Sequence, residues 1–182
     1  PSISSRYNHL GQLTQIEDAS GPRTFTYNQY NEQEMETTAG LAASVLTLRR
    51  DGVGRPAGYC LDYAGAAALR TAWGHDASGR LSTVSLNAVA KPFTYGYNAE
   101  SGLLDTLDYP NTLKWRRTLE EKRDLPVNID YLRPGSANYP AKTDYSYDVL
   151  GRPVTKKDYF NTSAPDLTPA YAYNDRNELV SD

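Results

Sequence analysis

The sequence predicts an all-β fold built of tandem antiparallel β-hairpins. The first observation behind this prediction is a degenerate motif, Tyr-x-Tyr-Asn/Asp-x-x-Gly-Arg/Gln-Leu/Pro, which recurs along the 182-residue chain. Self-similarity at a fixed period of this kind is typical of arrays in which each unit is one supersecondary element. The second observation is the composition, with 15 tyrosines against 3 phenylalanines and a mean hydropathy of −0.64. Tyrosine keeps its hydroxyl end wet, which suits sheets with a solvated face.

The motif is clearest at residues 145–153, which read Tyr-Ser-Tyr-Asp-Val-Leu-Gly-Arg-Pro. A copy at residues 95–103 carries one extra residue before its glycine, and another copy opens the chain at residues 6–13. Seven copies align on the residue that starts each turn, which is Asn8, Asn28, Asp51, Asp76, Asn98, Asp148 or Asn174. Their spacing is 20 to 26 residues except for one gap of 50, so we expect a degenerate copy near residues 115–122.

A glycine follows the Asn or Asp in most copies, as Gly11, Gly54, Gly79, Gly102 and Gly151. Asn31 and Asn177 replace this glycine in the other two copies. Asparagine is, after glycine, a residue that tolerates the left-handed backbone conformation well. The replacement therefore predicts a positive φ at this position of the motif.

The spacing of the motif predicts one hairpin per copy. Tyr-x-Tyr places two aromatic rings on the same face of a strand, because side chains alternate along it. The Asn or Asp side chain then starts a turn by accepting from a backbone amide two residues on. The left-handed residue closes a type I turn of the longer hairpin class. A return strand follows, for example at residues 80–86, where Leu81, Thr83 and Ser85 alternate with Ser82, Val84 and Leu86.

Four segments interrupt this rhythm. Residues 38–46 are apolar and residues 63–70 are rich in alanine, so a short helical turn competes there with the strand and loop that the repeat predicts. Residues 131–140 contain Pro-Gly and are predicted to form a loop. Residues 161–169 are predicted to form a second long connection.

The repeated motif resembles the YD repeat of the Rhs family, which includes bacterial toxin-complex shells and the teneurins of animals. The resemblance extends from Arg6 to Val180 and rests on seven copies in approximate register. It implies that the hairpins form a curved, twisted strip that is part of a hollow β-shell. In the bacterial relatives such a shell encloses a C-terminal toxin or presents a surface for contact between cells. The resemblance also implies a secreted or cell-surface location.

We expect residues 1–182 to be a single YD-repeat array of about eight hairpins, cut from a longer chain. The sequence begins without methionine and stops within a hairpin at residues 174–182. The partners that the resemblance implies are the remainder of that longer chain and an enclosed C-terminal toxin. Unpaired backbone groups at the first and last strands favour pairing with another copy, so self-association through strand edges is also predicted.

The sequence contains no motif for catalysis, a cofactor or a metal. His9 and His75 lie at or beside turns, with no other His, Cys or Glu at a spacing typical of metal ligands. Because zinc sites need three or four ligands, neither histidine is expected to bind a metal. Cys60 is expected to be a half-buried strand residue, because a nucleophile would need an activating base. A net charge of −3 disfavours non-specific binding to nucleic acid. No apolar run is long enough to span a membrane, so no membrane span is predicted.

Two functions remain open at this point. The first is a non-catalytic shell or scaffold segment that helps to enclose or present a C-terminal effector. The alternative is a carbohydrate-binding or adhesion module, in which Trp73 and Trp115 would form an aromatic platform for a surface glycan. In either case the arginines that follow the turn glycine are expected to lie flat against tyrosine rings, and these are Arg55, Arg80 and Arg152.

Overall fold

The computed structural model describes residues 2–40, 43–136 and 139–181. These residues contain β-strands and no helix, which confirms the all-β prediction. No helical turn forms in the described parts of residues 38–46 and 63–70; Leu41 and Ala42 lie outside the described residues. The chain divides into two compact units, the first ending at Ala90 and the second beginning at Lys91.

The first unit is a sheet of eight strands in which each strand pairs antiparallel with the next strand along the chain. Successive pairing needs only short connections, which is the simplest antiparallel arrangement. The strands are β1 (Ser4–Tyr7), β2 (Leu13–Asp18), β3 (Gly21–Tyr27), β4 (Gln33–Thr38), β5 (Ser44–Arg50), β6 (Pro56–Tyr63), β7 (Leu69–His75) and β8 (Leu81–Leu86).

The second unit repeats this arrangement with six strands and a short two-stranded pair. Its strands are β9 (Phe93–Tyr97), β10 (Leu104–Asp108), β11 (Lys114–Leu119), β12 (Pro126–Leu132), β13 (Ala141–Tyr147), β14 (Pro153–Tyr159), β15 (Ala172–Tyr173) and β16 (Leu179–Ser181). The connection at residues 161–169 contains no regular strand. Its end runs antiparallel along β14, with Leu167 opposite Asp158 and Ala170 opposite Thr155.

The predicted hairpins are confirmed, because each of the seven aligned copies connects two paired strands. The degenerate copy predicted near residues 115–122 is also a hairpin. Most of these residues belong to β11, and the turn begins at Glu120 and ends at Leu125, before β12. In this turn the amide of Glu120 donates to the carbonyl of Leu125 at 2.8 Å, and Asp124 has a φ of 53°. Neither Asn nor Gly marks these two positions, so this turn could be located only from the spacing of the other copies.

The sheets have no dense central core. Among the described residues Tyr159 is the only large hydrophobic residue that is buried, and it remains 9% exposed. No large side chain of the described residues is completely shielded from solvent. Most strand residues are half-buried on both faces. Stability in such an array comes from contacts between neighbouring hairpins rather than from one shared core.

Candidate functional site

The repeated turns share one set of hydrogen bonds. In the copy at Asp148, the amide of Asp148 donates to the carbonyl of Arg152 at 3.0 Å, and the amide of Gly151 donates to the carbonyl of Asp148 at 3.1 Å. The side-chain Oδ1 of Asp148 accepts from the amides of Leu150 and Arg152, both at 2.9 Å. The same four bonds recur in the turns that start at Asn8, Asn28, Asp51, Asp76 and Asn174.

The residue that closes each turn has a positive φ. The values lie between 63° and 85° and belong to Gly11, Asn31, Gly54, Gly79, Gly102, Gly151 and Asn177. The copy at Asn98 accommodates its extra residue by lengthening the turn, since the amide of Asn98 donates to the carbonyl of Leu103 at 2.9 Å. Its Oδ1 accepts from the amides of Glu100 and Ser101, both at 2.9 Å.

A second side-chain bond in the turns was not predicted. Where the turn starts with Asp, the residue four positions on is Arg, and its Nε donates to the carboxylate at 2.6 to 2.8 Å; the pairs are Asp51–Arg55, Asp76–Arg80 and Asp148–Arg152. Where the turn starts with Asn, the same position holds Gln or Glu, which accepts from the Asn side-chain amide at 2.6 to 3.0 Å; the pairs are Asn8–Gln12, Asn28–Glu32 and Asn174–Glu178. In the sequence, the residue that starts the turn and the residue four positions later therefore change together, so that Asp occurs with Arg and Asn occurs with Gln or Glu.

The predicted contact of Arg152 with a tyrosine ring is confirmed. Its guanidinium carbon lies 4.6 Å from the ring centroid of Tyr173, which belongs to the next hairpin. Its Nη1 also donates to the side-chain oxygen of Asn177 at 2.7 Å. Arg152 therefore joins its own turn to the next one through both polar and ring contacts.

The turn carboxylates are held in their ionised form. The backbone amide of Arg80, which donates to Asp76, lowers the pKa of Asp76 below its ordinary value, and burial opposes this only in part. For Asp51 and Asp148, burial raises the pKa, but hydrogen bonds from Arg55 and Arg152 outweigh it and the net pKa is lowered. These groups are acceptors for the turn and not proton donors.

We expect acid to destabilise the fold through these turns. Because the folded-state pKa of each turn aspartate is lowered, its contribution to stability is present above the unfolded pKa, about 3.9, and is lost as the pH falls below that value. The melting temperature should therefore drop between pH 5 and pH 2. Replacing Asp51, Asp76 and Asp148 together by Asn should flatten this drop, measured by circular dichroism. An equally steep drop in the triple variant would contradict the assignment.

In several copies the residue just before the turn links its hairpin to the preceding one. The hydroxyl of Tyr27 donates to the carbonyl of Leu13 at 2.8 Å. Two other copies make the same bond, from Tyr147 to Pro126 at 2.8 Å and from Tyr173 to Pro153 at 2.9 Å. In all three cases the acceptor is the first residue of the return strand of the hairpin before. We call this residue before the turn the linker.

Other side chains contact the preceding hairpin from the same linker position in two copies. The Nε of Arg50 lies 2.8 Å from the carboxylate of Glu32 in the preceding turn. The Nδ1 of His75 lies 3.9 Å from the carboxylate of Asp51, and its side chain is only 13% exposed. His75 is thus a linker as well as a neighbour of a turn, which its isolation in the sequence did not indicate.

We expect the variant Tyr147→Phe to lower the stability of the second unit by about 1 kcal/mol, because it removes the linker hydroxyl and leaves the carbonyl of Pro126 without that donor. Tyr30→Phe is the matched control, since Tyr30 is 73% exposed at a turn tip. Urea unfolding of the two variants measures the difference. Equal midpoints would show that the linker hydroxyl contributes nothing to stability.

Five of the junctions between hairpins share one register. In these five, the residue three positions before the linker lies opposite the residue two positions after the start of the preceding return strand. The register pairs are Gln15–Thr24 and Met35–Thr47 in the first unit and Thr106–Arg116, Asn128–Asp144 and Thr155–Ala170 in the second. A single docking geometry therefore serves both units, although the residues that occupy it differ.

The two tryptophans lie in different units and both are half-buried. Trp73 on β7 packs edge-on against Tyr59, with ring centroids 6.4 Å apart. Trp115 on β11 has the guanidinium of Arg117 at 5.9 Å from its ring centroid. Each tryptophan ring is therefore in contact with a side chain of its own sheet.

Groups capable of chemistry are scarce in the described residues. These residues contain no group of three or more His, Cys, Asp or Glu side chains placed to hold a metal ion. Burial raises the pKa of the Cys60 thiol, and the neighbouring Asp62 raises it further, so the thiol is not activated. Burial also raises the pKa of Asp130, against the influence of Arg116 and Lys142. A helix able to cross a membrane is not found in the part of the chain that the structure describes.

Comparison with known proteins identifies relatives in fold. No protein-family model and no curated protein matches the chain. The crystal structure of TcdB2-TccC3 without its hypervariable C-terminal region matches with a TM-score of 0.53 and 13% identity, over 98% of this chain and 12% of that one. The Tc holotoxin pore of Photorhabdus luminescens matches with a TM-score of 0.44 and 12% identity, over 97% of this chain and 12% of that one. In fold, the chain is similar to part of TcdB2-TccC3, in agreement with the resemblance to YD-repeat shell proteins that the sequence motif indicated.

Proposed function

We propose that this chain is a non-catalytic structural segment of an Rhs-type shell, which in a longer protein helps to enclose or present a C-terminal effector. The observation that carries the proposal is the shared junction register within both units. An array in which each hairpin pairs with the preceding one in the same register can be extended by adding further hairpins. The fold likeness to TcdB2-TccC3 over 98% of the chain supports the same function.

The use of the motif residues supports a structural role. The turn residues bond to their own turn, and the linkers Tyr27, Tyr147 and Tyr173 bond to the preceding hairpin. Catalytic acids and nucleophiles need a pKa tuned toward neutral pH and a partner that activates them. The turn aspartates are instead held ionised, and the thiol of Cys60 is held protonated.

The partners follow from the length of the related protein. The chain spans 12% of the TcdB2-TccC3 chain that it matches, so its first partner would be the remainder of a longer chain of its own. The second would be an effector polypeptide at the C-terminal end of that chain. A shell of this kind acts outside the cell that makes it, so the location would be secreted or at the cell surface.

Carbohydrate binding by Trp73 and Trp115 is the less favoured function. A glycan platform needs aromatic faces that are open to a sugar ring. The ring of Trp73 contacts Tyr59 and that of Trp115 contacts Arg117, and both tryptophans are half-buried. We therefore treat glycan binding as an outcome of the test and not as a second proposal.

The test is the chain composition of the natural full-length protein, purified from its own cells without denaturant. We expect intact mass measurement to show a much larger shell chain and a separate, cleaved C-terminal polypeptide that co-purifies with it. That polypeptide should resist protease until the shell is unfolded. A single uncleaved chain on the cell surface that binds glycans and protects no polypeptide would overturn the proposal.

A further inference from the structure

Two junctions of the second unit place an aspartate directly opposite a lysine. Where β10 meets β11, Asp108 lies opposite Lys114, and where β12 meets β13, Asp130 lies opposite Lys142. The two aspartates are equivalent, because each is four positions after the first residue of its return strand. Opposite charges that face each other across antiparallel strands normally pair and stabilise the sheet. The two junctions can therefore be compared within one unit.

Within the described residues, only the first of these couples forms an ion pair. The Nζ of Lys114 contacts the carboxylate of Asp108. The Nζ of Lys142 instead lies 3.0 Å from the carboxylate of Asp144, two positions along the same strand. It also lies 4.7 Å from the ring centroid of Tyr159, which is opposite on β14. Lys142 is therefore held by other partners and is not paired with the aspartate across the junction.

The carboxylate of Asp130 is left without a hydrogen bond. Its Oδ1 is buried and has no partner in the part of the chain that the structure describes. The charged groups around it are Arg116 on β11 and both Lys142 and Asp144 on β13. Burial raises the pKa of Asp130 above its ordinary value and the charge of Asp144 raises it further, which Arg116 and Lys142 offset only in part. A buried carboxyl group without a partner costs free energy mainly in its ionised form.

We propose that ionisation of Asp130 loosens the junction between β12 and β13, so that this junction is tightest when the carboxyl group is protonated. Because the pKa of Asp130 is raised in the folded state, its contribution to stability is fully present below the unfolded pKa, about 3.9, and is lost as the pH rises through the folded pKa. The turn aspartates act in the opposite direction, since their contribution is lost in acid. The junction therefore weakens toward neutral pH, where the turns are strongest. The inference rests on the contacts of this junction and does not depend on the enclosure of an effector.

The variant Asp130→Asn tests the proposal, because the amide keeps the shape of the carboxyl group but cannot ionise. We expect its urea midpoint to exceed that of the parent chain at neutral pH. The difference should shrink as the pH falls toward about 4, because the parent carboxyl group is then protonated in the folded state. A midpoint at or below that of the parent at neutral pH would overturn the proposal, as would a gain that is the same at both pH values.

The matched control is Asp108→Asn. It removes the carboxylate at the equivalent position of the other junction, where that carboxylate is paired with Lys114. The control should leave the urea midpoint at neutral pH unchanged or lower it, as expected for the loss of a half-exposed ion pair. A gain as large as that of Asp130→Asn would show that the unpaired state of Asp130 is not the cause.

Hydrogen exchange locates the effect. The junction consists of residues 128–131 on β12 and residues 141–144 on β13. At neutral pH we expect their amides to exchange more slowly in Asp130→Asn than in the parent chain, because local opening of the junction becomes less frequent. Amides at the junction of β10 with β11 should exchange at the parent rate. Equal slowing at both junctions would contradict the assignment to this one.

Releasing Lys142 from its present partner provides a second test. In an Asp144→Asn background the carboxylate that holds Lys142 is gone, so its ammonium group is free to pair with Asp130 as Lys114 pairs with Asp108. In this background Asp130→Asn should lower the urea midpoint at neutral pH instead of raising it. A gain that persists unchanged would contradict the proposal, because the engagement of Lys142 would then have no influence on Asp130.

Discussion

Replacing Gly58 by alanine is expected to destabilise the first unit by about 3 kcal/mol or more. Gly58 is buried in β6 and has a φ of 124°, a conformation that side-chain-bearing residues rarely adopt. A Cβ at this position would overlap the backbone oxygen of Thr71 on β7, far inside van der Waals contact. Both the backbone strain and the overlap act on rigid main chain, so neither can be relieved by turning a side chain.

The matched control is Gly52→Ala. Gly52 lies in the turn only six positions earlier, its φ is not in the left-handed region, and a Cβ there would meet no heavy atom within 4 Å. Its replacement should change stability by no more than about 0.5 kcal/mol. Urea unfolding of both variants gives the comparison. Similar midpoints would mean that β6 and β7 do not approach each other as closely as described.

Replacing Asp148 by alanine is expected to give the largest loss among the turn variants, lowering the melting temperature by about 5 °C. The change removes the acceptor for the amides of Leu150 and Arg152 and leaves the Arg152 guanidinium without its carboxylate. Two backbone amides and one charged group would then depend on water. The turn would keep only its backbone bonds, from Asp148 to Arg152 and from Gly151 to Asp148.

The conservative variant Asp148→Asn separates the two parts of this loss. Asn keeps the Oδ1 acceptor, as in the turn at Asn8, and loses only the pairing with Arg152. The double variant Asp148→Asn with Arg152→Gln recreates the Asn8–Gln12 pair within the turn but also removes the contacts of Arg152 with Tyr173 and Asn177. Circular dichroism melts should rank alanine lowest. If Asp148→Asn melts as low as Asp148→Ala, the side-chain acceptor is not what holds the turn.

The turns were predictable because their signals are local. A side-chain acceptor followed by a left-handed residue is written in a few consecutive positions, so Asp148 and Gly151 could be placed from sequence alone. The turn at residues 120–125 could be placed only from the spacing of the other copies, because Glu120 and Asp124 occupy those two positions without the usual residue types. Asp124 adopts a φ of 53° there, a conformation that Asp tolerates better than most residues but that its presence alone does not indicate.

The junctions were harder to predict because their acceptors are backbone carbonyls, which any residue supplies. The motif predicts only that Tyr147 shares a strand face with Tyr145, and the hydrogen bond of Tyr147 to Pro126, 21 positions earlier, leaves no mark at the acceptor. The linker also varies in chemistry, with Arg50 and His75 in the place of tyrosine. The constraint on Gly58 depends on the approach of another strand, so the sequence could not distinguish it from other strand glycines.

The pairing of turn residues lay within reach of the sequence. Asp is followed four positions later by Arg in three copies, and Asn by Gln or Glu in three others. Each combination unites a donor with an acceptor, since the guanidinium only donates and the carboxylate only accepts. The lengthened copy at Asn98 departs from the rule because its fourth residue is Gly102, which has no side chain to pair.

The central claim is that one docking step, with one register, builds the array. Deleting residues 24–46 tests it most directly, because this joins Arg23 to Thr47 and places Thr47 opposite Gln15, where Thr24 stood. We expect this shortened chain to keep an all-β circular dichroism spectrum and a cooperative unfolding transition. Deleting only residues 24–35 removes the Asn28 turn and sends the following strands in the wrong direction, so that chain should not unfold cooperatively. Loss of the transition in the first variant, or its survival in both, would contradict the account.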